Sequence, residues 1–108
     1  MATVVELMDQ ARKMIAENPE KAKETGATFK FILNGDGGGT FLINLKDNPG
    51  VTDADGAADC TVKMSVPDFI DMAERRVDSR LLFFSGKVRV EGDMGLALKL
   101  KKLLVAFT

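Results

Sequence analysis

Two alternating apolar runs separated by a glycine-rich joint constrain this chain more than any other feature. Thr28 to Asn34 puts Phe29, Phe31 and Leu33 on one face, and Thr40 to Lys46 does the same for Phe41, Ile43 and Leu45. Alternation with a period of two marks a half-buried strand. The joint, Asn34-Gly35-Asp36-Gly37-Gly38-Gly39, is the kind that closes a hairpin. Glycine loops that cradle phosphate follow a strand and open a helix. This one opens a second strand and lacks a Gly-Lys-Ser/Thr ending, so the hairpin reading is preferred. The pair has one apolar face, which another layer must cover.

Helices can supply that layer. Thr3 to Asn18 carries Val4, Leu7, Met8, Ala11, Met14 and Ile15 at helical spacing, opened by the capping box Thr3-Glu6 and closed before Pro19. Glu20 to Gly26 adds a turn. Asp47 to Asp59 is polar and turn-rich, hence a loop. Cys60 to Met64 forms a third strand with Cys60, Val62 and Met64 inward. Ser65-Val66-Pro67-Asp68 then opens a helix whose stripe is Val66, Phe69, Ile70, Ala73 and Val77. Ser79 to Ser85 reads as one helical turn and Lys87 to Glu91 as a fourth strand. Gly92 breaks that strand, and Asp93 caps a final helix from Met94 to Phe107. The order α-β-β-β-α-β-α predicts an α+β fold, and 108 residues fit one domain, 1–108.

Composition removes much chemistry. There is no histidine and a single cysteine, so no Ser-His-Asp triad, Cys-His dyad or structural zinc site can form within the chain. No metal and no cofactor is expected. A formal net charge of −1 argues against a nucleic-acid partner. No apolar run approaches the roughly 20 residues of a membrane span, and no secretory or peroxisomal signal is read at either end, so a cytoplasmic location is expected.

Three weaker candidates have bland readings. Asp53, Asp55 and Asp59 resemble a calcium loop only loosely, because the glycine and the closing glutamate fall at the wrong positions. Cys60 sits on an inward face, where free cysteine behaves as a small hydrophobe. Asp68, Asp71 and Glu74 lie on a solvated helix face that does nothing to split their pKa values. No catalytic residue is assigned.

The end of the chain is unusually apolar. Leu96, Leu100, Leu103, Leu104 and Phe107 form one stripe of the last helix, while Met94, Leu98 and Val105 form another, bordered by Lys101 and Lys102. Leu81-Leu82-Phe83-Phe84 is also too apolar for a connector. A helix with two apolar faces needs two apolar neighbours. The second is the first helix, a ligand, a partner or a membrane. An excess of apolar lining is what a lipid cavity requires.

From Ala58 to Leu104 the chain resembles the sterol carrier protein family of nonspecific lipid-transfer proteins. The motifs are Ala58 to Ser65 with Asp68-Phe69, then Phe83 to Gly92, then Asp93 to Leu100. The hairpin strand Thr40 to Lys46 is similar too, with Phe41 where the family often has tryptophan. The resemblance implies a five-stranded twisted sheet covered on one face by helices, with a hydrophobic tunnel between them. The fifth strand is expected within Ser79 to Ser85 or Asp47 to Ala57. It further implies noncatalytic binding and transfer of single lipids: fatty acids, fatty acyl-CoA, phospholipids or sterols. Carried over, the tunnel lining is Phe41, Ile43, Met64, Phe69, Leu82, Phe83, Phe84, Met94 and Leu98. Ser85 stands where animal members often have glutamine, which weakens any headgroup contact there. Lys101 and Lys102 are the expected contacts to an anionic membrane, and the chain is expected to act as a monomer. The rival readings are an enzyme, or a part of one, that holds a lipid-like substrate, and an interaction module whose apolar surface meets a protein.

Overall fold

The computed structural model describes residues 3–106, with side chains described as far as Leu100. Ten elements follow in chain order: α1 (Val4–Glu17), α2 (Pro19–Lys23), β1 (Ala27–Asn34), β2 (Gly39–Leu45), β3 (Gly50–Thr52), β4 (Cys60–Ser65), α3 (Val66–Ala73), α4 (Ser79–Phe84), β5 (Arg89–Gly92) and α5 (Met94–Ala106). The strands form one sheet in the order β3-β2-β1-β4-β5. β1 lies at its centre, antiparallel to β2 and parallel to β4. The fold is α+β, as the order of elements predicts.

The hairpin closes as expected. Phe31 faces Phe41, Phe29 faces Ile43, and the Gly38 amide donates to the Gly35 carbonyl at 3.1 Å. Strict alternation then divides the sheet into two faces. Ala27, Phe29, Phe31 and Leu33 of β1, Phe41, Ile43 and Leu45 of β2, and Cys60, Val62 and Met64 of β4 are all buried on the inner face. The helices supply Val4, Met8, Ile15, Val66, Phe69, Leu82 and Leu100 to the same cluster. Phe69 meets Phe31 edge-on, with centroids 5.9 Å apart. Such pairs contribute about 0.5–1.5 kcal/mol beyond their buried area.

Several boundaries differ from the sequence reading for local reasons. The fifth strand is β3, inside the Asp47 to Ala57 window, where Val51 pairs with Ile43. Three residues with one apolar side chain carry no alternation to detect, and short edge strands are common. It is tied to α1 by Arg12, whose Nε donates to the Val51 carbonyl at 3.2 Å while its guanidinium reaches Asp53 at 3.0 Å. The helix expected to include Val77 stops at Ala73, because Arg75 adopts a positive φ of 61°. The residues after Pro19 form a separate short helix, α2, rather than a loose extra turn. The fourth expected strand starts two residues later, at Arg89, and includes Gly92 as its last residue. The caps are where the sequence puts them: the Glu6 amide donates to Thr3 Oγ1 at 3.2 Å, the Asp68 amide to Ser65 Oγ at 3.2 Å and the Gly95 amide to Asp93 Oδ1 at 2.8 Å. Among the described residues no helix is long and apolar enough to cross a membrane.

Candidate functional site

The apolar layer between sheet and helices is the first candidate. Five of the nine expected lining residues belong to it: Phe41, Ile43, Met64, Phe69 and Leu82 are each under a tenth exposed. The other four stand outside. Phe83 is 39% exposed, Met94 44%, Leu98 61% and Phe84 82%. The division within α4 has a simple geometric origin. This helix has six residues and buries only Leu82, so its neighbours Leu81, Phe83 and Phe84 are carried outward. α5 likewise turns Leu100 inward and leaves Met94 and Leu98 exposed. α1 packs on β3 and α3. The second apolar stripe of α5 therefore faces outward at Met94 and Leu98. The side chains of Lys101, Lys102 and Val105 lie outside the described residues.

The polar candidates resolve into ordinary pairings. Asp53 is held by Arg12, and Asp55 is held by Lys30 at 2.7 Å on the opposite face of the sheet. The Lys30 ammonium, with the Gly56 amide, draws the Asp55 carboxyl below its usual range. Arg76 binds Asp71 at 2.7 Å and Glu74 at 3.1 Å. Cys60 is 1% exposed, and burial, with Asp93 nearby, pushes its thiol up. A nucleophilic cysteine needs the opposite shift.

A second feature was not singled out from the sequence. A surface cleft of about 260 Å³ is lined by Asn34, Lys63, Met64, Ser65, Gly86, Lys87 and Arg89. Of the nine expected lining residues, only Met64 borders it. The signal that locates it is register parity. Asn34 pairs with Ser65 and Lys63 with Arg89, so four polar residues from three strands share the outer face at one end of the sheet. Those pairings become visible only once β4 is known to run parallel to β1 and antiparallel to β5.

A mixed five-stranded sheet with helices over one apolar face, and with spare apolar surface on its two last helices, defines the chain as an α+β domain. Residues 8–105 match the SCP-2 sterol transfer family. The chain belongs to that family. It is 37% identical over 90 residues to hydroxysteroid dehydrogenase-like protein 2 of Xenopus laevis, covering 81% of this chain and 22% of that protein. It is 34% identical over 97 residues to sterol carrier protein 2 of Rattus norvegicus, covering 85% of this chain and 18% of that protein. The chain thus spans about a fifth of the length of these curated relatives. Among solved structures, sterol carrier protein domain 2 of Helicoverpa armigera superposes with a TM-score of 0.77 at 28% identity, covering 93% of this chain and 84% of that one. Sterol carrier protein 2 of Aedes aegypti, in complex with palmitate, gives a TM-score of 0.77 at 17% identity, covering 96% of both, and shows the fold alone.

Proposed function

We propose that this chain is a single noncatalytic domain that binds one lipid molecule at a time and carries it between membranes. The observation that supports this reading is the surplus of apolar side chains on α4 and α5. Leu82 of α4 and Leu96, Ala97 and Leu100 of α5 pack on the core, yet Leu81, Phe83, Phe84, Met94 and Leu98 remain in water. An acyl chain entering between the sheet and these helices would cover them once α4 and α5 turn to face it, forming the tunnel with Phe41, Ile43, Met64 and Phe69. Each shielded CH₂ contributes about 0.8 kcal/mol, so ten give roughly 8 kcal/mol before ordering costs, enough for micromolar affinity. The ligand class is fatty acid, fatty acyl-CoA, phospholipid or sterol, carried by a monomer in the cytoplasm.

The mosquito protein that holds palmitate guides the choice of probe. With no tryptophan or tyrosine in the chain, the assay needs an extrinsic reporter. A fluorescent fatty acid should bind one-to-one and be displaced by palmitate but not by butyrate. Equal and negligible binding of both acids would end the carrier reading.

Delivery, in this reading, occurs by collision with an anionic membrane. Met94 and Leu98 enter the interface while Lys101 and Lys102 reach lipid phosphates, at about 1 kcal/mol per lysine. Lys101→Ala with Lys102→Ala should slow transfer from anionic vesicles several-fold and leave palmitate affinity unchanged. A wild-type transfer rate in that variant would remove the lysines from the mechanism. The second reading, a substrate-presenting part of an enzyme, is favoured by the greater length of the dehydrogenase-like relatives, of which the match covers 22%. It predicts that the isolated chain binds palmitate but does not transfer lipid between vesicles.

A further inference from the structure

We propose that the outer-face cleft is a phosphate-binding site, separate from the apolar layer and suited to a phosphomonoester or pyrophosphate group. The argument starts from the alternation of the strands. Val62 and Met64 point to the core, so Lys63 and Ser65 point away from it, as does Arg89 through its pairing with Lys63, and Lys87 lies exposed just before β5. Asn34 joins them through its pairing with Ser65. Three cations and two neutral hydrogen-bonding side chains therefore converge on one cleft whose lining contains no carboxylate.

The charges around the cleft do not cancel internally. Lys63 is engaged by Glu91 at 2.8 Å, and that contact holds the Glu91 carboxyl below its usual range. Lys30 and Asp55, further along the same face, pair with each other. Lys87 and Arg89 make no ion pair or side-chain hydrogen bond among the described residues, although Arg89 feels the charge of Glu91. Two cations are left for a ligand, and Lys63 is available to share. A group with more than one negative charge matches this set better than a monocarboxylate. Arginine offers a planar fork of donors and lysine a compact charge, the usual combination for phosphate oxygens. Asn34 and Ser65 can complete the shell. The volume, about 260 Å³, has room for a phosphate group and part of what carries it. Such a phosphate has two possible sources, a small soluble molecule or the headgroup of a membrane lipid.

The test uses the ¹⁵N-labelled full chain, titrated with sodium pyrophosphate and separately with inorganic phosphate at constant ionic strength, with sodium chloride as the reference salt. Saturable shifts are expected at the amides of Lys63, Ser65, Gly86 and Lys87, with those of Ala27 to Phe31 unmoved. Lys87→Gln with Arg89→Gln should weaken binding at least tenfold, while Lys46→Gln should leave it unchanged. Both altered residues are exposed, so the variant should melt with the parent chain and bind palmitate as before. That palmitate result separates failure of this site from failure of the lipid-carrier reading. Sedimentation with phosphatidylcholine vesicles containing phosphatidic acid identifies the source. Vesicle binding competed by pyrophosphate assigns a headgroup, and pyrophosphate binding without vesicle binding assigns a soluble ligand. Shifts that match sodium chloride, or binding indifferent to the double substitution, would overturn the proposal.

Discussion

Phe29→Ala should cost about 3–5 kcal/mol, the usual range for removing a buried phenylalanine. Phe29 is fully buried on the central strand, with Ile43 beside it on β2 and Cys60 beside it on β4. It therefore has no route by which its neighbours can collapse into the vacated space without moving two strands. Domains are stable by only about 5–15 kcal/mol, so a loss of this size takes about a fifth or more of the total. With a urea slope of 1–3 kcal/mol/M, the midpoint should fall by roughly 2 M. Phe84→Ala is the matching comparison. That side chain is 82% exposed, so its removal should change stability by no more than about 0.5 kcal/mol. In the carrier reading it should nevertheless weaken palmitate binding. Equal urea midpoints for the two variants would show that the assigned core is wrong.

Gly92→Ala should also be severe, for a different reason. Gly92 closes β5 with a φ of 99°, a conformation that L side chains avoid. An added Cβ would also stand 2.6 Å from the Asp59 carbonyl oxygen and 3.3 Å from the Cys60 Cα. Backbone strain of about 1–3 kcal/mol and a comparable overpacking cost act together, because the obstruction is main chain and cannot rotate away. Gly37→Ala isolates the first contribution: φ is 80° and nothing lies within 4 Å of the added carbon. Thermal melts should rank the parent chain first, Gly37→Ala second and Gly92→Ala last. If the two variants melt together, the close approach of β5 to the start of β4 is not present in solution.

Much of this arrangement is visible in the residues before any coordinates. Phe29-Phe31-Leu33 and Phe41-Ile43-Leu45 specify a hairpin and its buried face, and Thr3, Ser65 and Asp93 specify three helix starts. Local signals of this kind act over three or four residues, so they survive without knowledge of the fold. The parts that were not legible depend on distant partners. β3 has too few apolar residues to announce itself and exists because β2 offers it an edge. Leu82, Phe83 and Phe84 are equally apolar, and only the seat of α4 on the sheet decides that the first is buried and the last is not. The cleft of Lys63, Lys87 and Arg89 needs the antiparallel register of β4 and β5, which no local pattern encodes. A net charge of −1 argues against a nucleic-acid partner, but net charge is silent about where the cations gather.

The parallel pairing of β1 with β4 has a consequence for how the chain reaches its native state. The hairpin of β1 and β2 joins neighbours in sequence and can form within microseconds. The pairing of Phe29 with Cys60 instead closes a loop of roughly thirty residues, whose entropy must be spent before any contact across it is gained. Until that closure, the inner face of the hairpin and one long edge of β1 are both open to water. The slow step of folding and the interval of greatest exposure to aggregation therefore coincide at the centre of the sheet. β5 and α5 lie beyond β4 in the chain, so on a ribosome this interval lasts until β4 has been synthesised.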